Sequence, residues 1–268
     1  MIQTDSDPNP RRAVRAFPDL QALSQAAAEE IVLVANASVA ERGVFSIALA
    51  GGNTPRGTYE LLATRHRDDL DWSRPIVVFG DERFVPPDDP RSNYRMAREA
   101  LLDRVPIPPE RVYPVATDVP SVHEAADRYD RVLRETLGEP GVAAAGTHSQ
   151  SASATVDVAL LGVGPDGHTA SLFPGAPTLR ERTRWAVSVN APSHIQPAVP
   201  RISTTLEFLD RARVVIFLVA GADKRVVIGE ILGGGEAARR YPAALVAPRG
   251  RAIWMIDQSA MPDGRSNA

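Results

Sequence analysis

Short apolar runs recur along the chain, each bounded by turn residues, with longer stretches of helical periodicity between them. The runs at 44–50 (VFSIALA), 76–79, 156–161 (VDVALL), 185–189, 214–219 and 252–256 predict strands, with a further short one at 112–115. Val, Ile and Leu in unbroken runs mark strands buried on both faces, as in a parallel sheet. Helices are predicted between them. Asp19 caps one that runs to Arg42, and Gly43 ends it. Thr54 caps another, with Pro55 at its first position. Others cover 94–102, 122–137, 206–211 and 224–232, the last capped by Asp223. Residues 168–173 read as one or two helical turns, stopped by Pro174.

This alternation predicts an α/β fold, a Rossmann-like, mostly parallel sheet with helices on both faces. No break in composition divides 1–268, so a single domain is expected. It has a polar, disordered start (1–12), a flexible Gly/Ala/Ser insertion (139–155) and a polar tail (258–268).

Composition narrows the function. With 268 residues, 44% of them hydrophobic and 24% charged, the chain buries enough surface to fold without a metal or disulfide staple. It has no cysteine, which removes thiolate catalysis and Cys-ligated zinc. A net charge of -3 gives no reason to expect nucleic acid as a partner. No apolar run reaches the roughly 20 residues that span a bilayer, and none follows Arg11-Arg12 as an export signal would need. A cytoplasmic, monomeric enzyme or binding protein with a small-molecule partner is the expectation.

Candidate chemistry gathers at predicted strand ends, the edge where ligands bind in open α/β sheets. After the 156–161 strand, Gly162, Gly164 and Gly167 let the backbone turn tightly around Asp166 and His168. His168 is either a general base or a residue that caps a short helix; as a base it would need a neutral imidazole, which a helix start favours and a close Asp166 opposes. The spacing G-x-G-x-x-G also fits a dinucleotide loop, but Pro174 leaves no full crossover helix. Gly51-Gly52-Asn53-Thr54-Pro55 is either an anion-binding nest at a helix start or a plain tight turn. Asp81-Glu82-Arg83 is either part of the site or a solvated charged loop. Arg201 and Lys224 add cations, Lys224 in a first helical turn where the dipole opposes it. An anion nest, cations and a base on separate strand ends point to a small phosphorylated substrate.

These blocks resemble the 6-phosphogluconolactonase family. The resemblance rests on GGNTP at 51–55, GDERFVP at 80–86 with Ser92-Asn93, GVGPDGHTASLFP at 162–174, PRIS at 200–203, and Gly221 through Lys224. It spans about Phe17 to Asp257, with the blocks in the family's order. It implies a sugar-phosphate isomerase/deaminase-like fold, no cofactor, no metal, and hydrolysis of 6-phospho-D-glucono-1,5-lactone in the oxidative pentose phosphate pathway. His168 would be the base with Asp166 beside it. Gly51, Gly52, Asn53, Thr54, Asp81, Arg83, Gly164, Gly167, Arg201 and Lys224 would form the substrate site, with Arg83 and Lys224 on the phosphate or carboxyl end. The sequence departs from the family's pattern at Phe79-Gly80 and in the 139–155 insertion. A related deaminase would read DGHIAFNEP where this chain has DGHTASLFP. A sugar-phosphate-sensing regulator would carry a helix-turn-helix, for which residues 1–18 are too short.

Overall fold

The computed structural model describes residues 11–138 and 156–262. The expectations for 1–10, for the 139–155 insertion and for 263–268 lie outside the described residues. In chain order the elements are β1 (Arg12–Phe17), α1 (Leu20–Arg42), β2 (Phe45–Leu49), α2 (Thr54–Thr64), β3 (Pro75–Phe79), β4 (Asp81–Arg83), α3 (Asn93–Ala100) and α4 (Val122–Leu137). Then follow β5 (Val158–Gly162), β6 (Ala186–Asn190), β7 (Pro200–Thr204), α5 (Leu206–Leu209), β8 (Val214–Val219), α6 (Arg225–Gly233), α7 (Gly235–Ala238), α8 (Pro242–Leu245) and β9 (Arg251–Asp257). Among the described residues no helix is long and apolar enough to cross a membrane.

Six strands form a parallel sheet in the order β1-β9-β8-β5-β2-β3. The mostly apolar runs are its centre: every residue of β2 and β8 is buried, as strands covered on both faces require. Across β8 and β9, Phe217 and Trp254 are register partners and stack at 3.9 Å between ring centres, a pair worth about 0.2–1 kcal/mol. Chain order reverses between β2 and β5, which makes their carboxyl ends the switch point where a cleft opens.

Two buried tyrosines close the backbone where the sheet ends at that edge. Tyr59 Oη accepts the N–H of Ala50 at 2.9 Å and donates to its carbonyl at 2.8 Å. Tyr129 Oη does the same for Phe79, at 2.6 and 2.9 Å. Each polar backbone group left buried and unpaired there would cost about 1–3 kcal/mol. The two hydroxyls thus fix the starts of the loops that carry Gly51 and Asp81.

Several expectations need correction. The expected loop at 80–83 is in fact β4, which pairs with β7 and β6 in a second, antiparallel sheet. No strand forms at 112–115; only a single bridge joins Val112 to Val77. The cap position of α2 is Asn53 rather than Thr54, and no side chain caps it. Ala222–Lys224 is a 3-10 turn, so α6 starts at Arg225 and Asp223 caps nothing. Arg12 does not belong to a disordered start, because it opens β1. Its sequence, RAVRAF, gives no strand signal because Arg12 and Arg15 break up the apolar residues; it pairs with β9 at the sheet's edge. The expected polar tail begins inside the body, with Ala260 and Met261 buried.

Asp210, just after α5, accepts the N–H of Ala247 at 2.7 Å, pinning the turn before β9. Burial pushes its carboxyl up from 3.8 to about 6, against the pull of that hydrogen bond. Since the folded value lies above the unfolded one, the contribution to stability is full below 3.8 and is lost as pH rises through about 6. Asp210→Asn keeps the acceptor and cannot ionise. Its Tm relative to wild type therefore rises between about pH 4 and about pH 7.5. Thermal melts at both pH values check this; an unchanged difference would show that Asp210 ionises freely in the folded protein.

Candidate active site

The loop after β5 is closed by its own backbone. Gly164 N–H donates to the His168 carbonyl at 2.8 Å, and Gly167 N–H donates to the Gly164 carbonyl at 2.9 Å. Gly167 takes a φ of 77°, which favours glycine. At Gly164 the need is space: a Cβ there would lie 2.1 Å from His168 Nδ1, so the imidazole packs directly on the glycine backbone. The Phe173 ring lies 4.9 Å from it, centre to centre. His168 Nδ1 bonds Asp166 Oδ1 at 2.5 Å. An ionised carboxylate only accepts, so Nδ1 carries the hydrogen, and the neutral tautomer this selects has its lone pair on Nε2. Burial raises the Asp166 pKa, but the hydrogen bonds and charge of His168 outweigh it and bring it to about 2. Asp166 is therefore a carboxylate throughout the neutral range.

The helical turns expected over 168–173 are absent. Ala170 sits at a φ of 47°, and Leu172 N–H bonds the Thr169 carbonyl at 2.9 Å in a tight turn. No helix dipole acts on His168 from this segment, and the groups in direct contact with its ring are Asp166, Gly164 and Phe173.

The second wall is the β4–β7 pair. Asp81 and Glu82 are both buried, so the solvated-loop alternative fails. Asp81 accepts Ser171 Oγ–H at 2.5 Å and Asn93 Nδ2–H at 3.0 Å, tying the His168 loop to α3. The Asn93 amide lies over Gly51, where a Cβ would come within 1.9 Å of Oδ1. Glu82 faces the start of α3 and accepts the N–H groups of Arg83, Asn93 and Tyr94, each at 2.7 Å. Burial raises its pKa while those three bonds lower it.

Arg83 and Arg201 stand directly opposite each other in the β4–β7 register. Like charges in that position repel. Asp81 offsets part of this for Arg201, whose pKa burial lowers and Asp81 raises. Arg83 Nη1 donates to the Arg91 carbonyl at 2.6 Å, and Arg201 Nη2 donates to the Pro197 carbonyl at 3.1 Å. The Nε of each is buried without a hydrogen-bond partner among the described residues. Two guanidiniums with donors to spare make this wall suited to an anion.

The third wall is the 51–54 loop at the start of α2, where Gly52 has a φ of 89°. Lys224 closes the site at the cap position of α6, its Nζ 2.7 Å from Asp223 Oδ2. One cleft thus brings together Gly51, Gly52, Asn53, Thr54, Asp81, Arg83, Gly164, His168, Arg201 and Lys224. Of the expected residues, Asp166 and Gly167 do not line it: Asp166 backs the imidazole, and Gly167 turns away against Tyr241. Asn93 and Ala170 line it without having been assigned a role. The Ser92 cap marked the α3 start, but nothing in the sequence placed Asn93 over Gly51.

A carboxylate-held imidazole and a set of cations, at the switch point of a parallel α/β sheet, make the candidate active site of an α/β enzyme acting on an anionic substrate. The comparisons agree with that class. The family model for glucosamine-6-phosphate isomerases/6-phosphogluconolactonase matches residues 18–254, and the chain belongs to that family. It is 41% identical over 224 residues to a 6-phosphogluconolactonase of Synechocystis, covering 83% of this chain and 86% of that one. It is 39% identical over 250 residues to that of Streptomyces coelicolor, covering 90% of each. The solved 6-phosphogluconolactonase of Trypanosoma brucei superposes with a TM-score of 0.76 at 32% identity, over 94% of this chain and 97% of that one. A monomeric glucosamine-6-phosphate deaminase shares the fold, with a TM-score of 0.76 at 20% identity over 92% of this chain and 98% of that one. The expected enzyme class, a 6-phosphogluconolactonase, is borne out by these relatives.

Proposed function

We propose that the chain hydrolyses 6-phospho-D-glucono-1,5-lactone to 6-phospho-D-gluconate, with His168 as general base. The observation that carries the reading is the in-register Arg83–Arg201 pair, which shares one cleft with Lys224 and with a histidine held by Asp166. A lactone is an activated ester, so a base and charge stabilisation suffice and no covalent nucleophile is needed.

In this reading His168 Nε2 takes a proton from water as its oxygen attacks C1. Asp166 stabilises the imidazolium that forms, and cations or N–H groups of the cleft hold the oxyanion. The C1–O5 bond then breaks, and the imidazolium returns its proton to the ring oxygen. The acid formed loses its proton to solvent. Lys224 is assigned to the phosphate, because its ammonium lines the cleft with Asp223 holding it there at 2.7 Å. The N–H groups at the start of α2 add to that grip.

The test is turnover of freshly made 6-phosphogluconolactone, corrected for spontaneous hydrolysis. We expect acceleration that depends on the phosphate. A rate equal to the spontaneous one overturns the reading, and ammonia release from glucosamine 6-phosphate would place the chain with the deaminases instead.

A further inference from the structure

Gly167 stands between Asp166 and His168, and a segment far along the chain holds it from outside the cleft. A Cβ on Gly167 would lie 2.3 Å from Tyr241 Cδ1, so the tyrosine ring fills the space a side chain would take. Ala243, fully buried in α8, donates its N–H to the Gly167 carbonyl at 3.1 Å. The ring is itself anchored at its far end. Tyr241 Oη donates to Glu230 Oε2 of α6 at 2.5 Å and accepts from Arg240 Nη2 at 2.6 Å. The Arg240 guanidinium lies 4.7 Å from the ring centre. Tyr241 does not line the cleft, and the mechanism gives it no step.

We infer that Tyr241 is a positioning residue for His168, acting through Gly167; this rests on His168 being the base. A glycine at positive φ has the loosest backbone in the loop. With the ring on one side and the Ala243 N–H on its carbonyl, the Asp166–Gly167–His168 backbone has one place to sit. Without the ring, Gly167 keeps its backbone bonds to Gly164 and Ala243 but loses the wall on one side, and the added play at this glycine moves Asp166 Oδ1 out of line with His168 Nδ1. Displacing a catalytic group by about 1 Å costs on the order of 10²-fold in rate.

The experiment compares Tyr241→Ala and Tyr241→Phe with wild type, well below each protein's Tm. In Tyr241→Ala we expect kcat to fall by about 10–100-fold with KM within about threefold. Tyr241→Phe keeps the ring on Gly167, so its kcat stays within about threefold of wild type. The low-field proton resonance of His168 Nδ1–H, read by NMR without substrate, shifts or broadens in Tyr241→Ala and not in Tyr241→Phe. An unchanged resonance or an unchanged kcat in Tyr241→Ala overturns the inference, as does an equal loss of kcat in both variants. If wild type fails to hydrolyse the lactone, the proposed function falls, while the resonance still decides whether Tyr241 positions His168.

Discussion

Replacing His168 by asparagine lowers kcat by roughly 10²–10⁴-fold, the usual worth of a positioned acid–base group. The loop itself survives the change. Its closing bonds, Gly164 to His168 and Gly167 to Gly164, use backbone atoms only, and Thr169 Oγ1 still donates to the Gly162 carbonyl. What goes is the proton acceptor at Nε2 and the imidazolium that Asp166 stabilises. Steady-state rates on the phosphorylated lactone, together with a thermal melt, separate the two contributions. The Tm should shift little. A His168→Asn enzyme within a few-fold of wild type would remove His168 from the mechanism and leave the Asp166–His168 pair a structural clasp.

Lys224→Ala should weaken kcat/KM by about 10–150-fold on the phosphorylated lactone and hardly at all on unphosphorylated gluconolactone. That range follows from losing one charge-assisted hydrogen bond of about 1.5–3 kcal/mol. Binding energy spent on a remote phosphate also positions the reacting carbonyl, so the loss should reach kcat as well as KM. The lysine side chain is mostly covered and held near the cleft by Asp223, which limits its reach to this site. Arg83→Ala behaves in the same way if Arg83 shares the phosphate. It hurts both substrates if it holds the oxyanion, and its in-register partner Arg201 makes either role geometrically available. Four values of kcat/KM per variant pair, two lactones against two enzymes, decide the matter. Equal losses on both lactones for Lys224→Ala would sink the phosphate assignment.

The parts of the fold legible in the sequence are those where local chemistry and burial agree. β5 and β8 are apolar runs, and β2 is one but for Ser46, because both faces of a central parallel strand are covered. The Asp19 side chain accepts the Ala22 N–H at 2.8 Å, and Gly43 takes the left-handed conformation, so α1 carries both its start and its stop. At the site, a glycine-rich loop after a buried strand already announced His168 and Asp166 as neighbours at a ligand-binding edge. Their direct bond needed only a separation of two residues.

What sequence could not show depends on partners far along the chain. Three charged residues in a row, Asp81 to Arg83, look solvated by themselves; burial becomes tolerable only because Ser171, Asn93 and the start of α3 supply hydrogen bonds. The edge strand β1 has no apolar run, and its place is set by β9 and by the Arg15–Glu30 ion pair at 3.0 Å. The tight turn over 169–172 is imposed by Ser171 donating its N–H to Ser203 Oγ and its hydroxyl to Asp81, which local helix propensity cannot anticipate. The amino-acid sequence alone thus determined the strands β2, β3, β5, β8 and β9, the long helices and the chemical groups of the site, since these follow from periodicity, caps and strand-end loops. Only tertiary packing decided which of those groups face one another, because the contacts of Arg83 with Arg201, Asn93 with Gly51 and Tyr241 with Gly167 join segments that no local pattern connects.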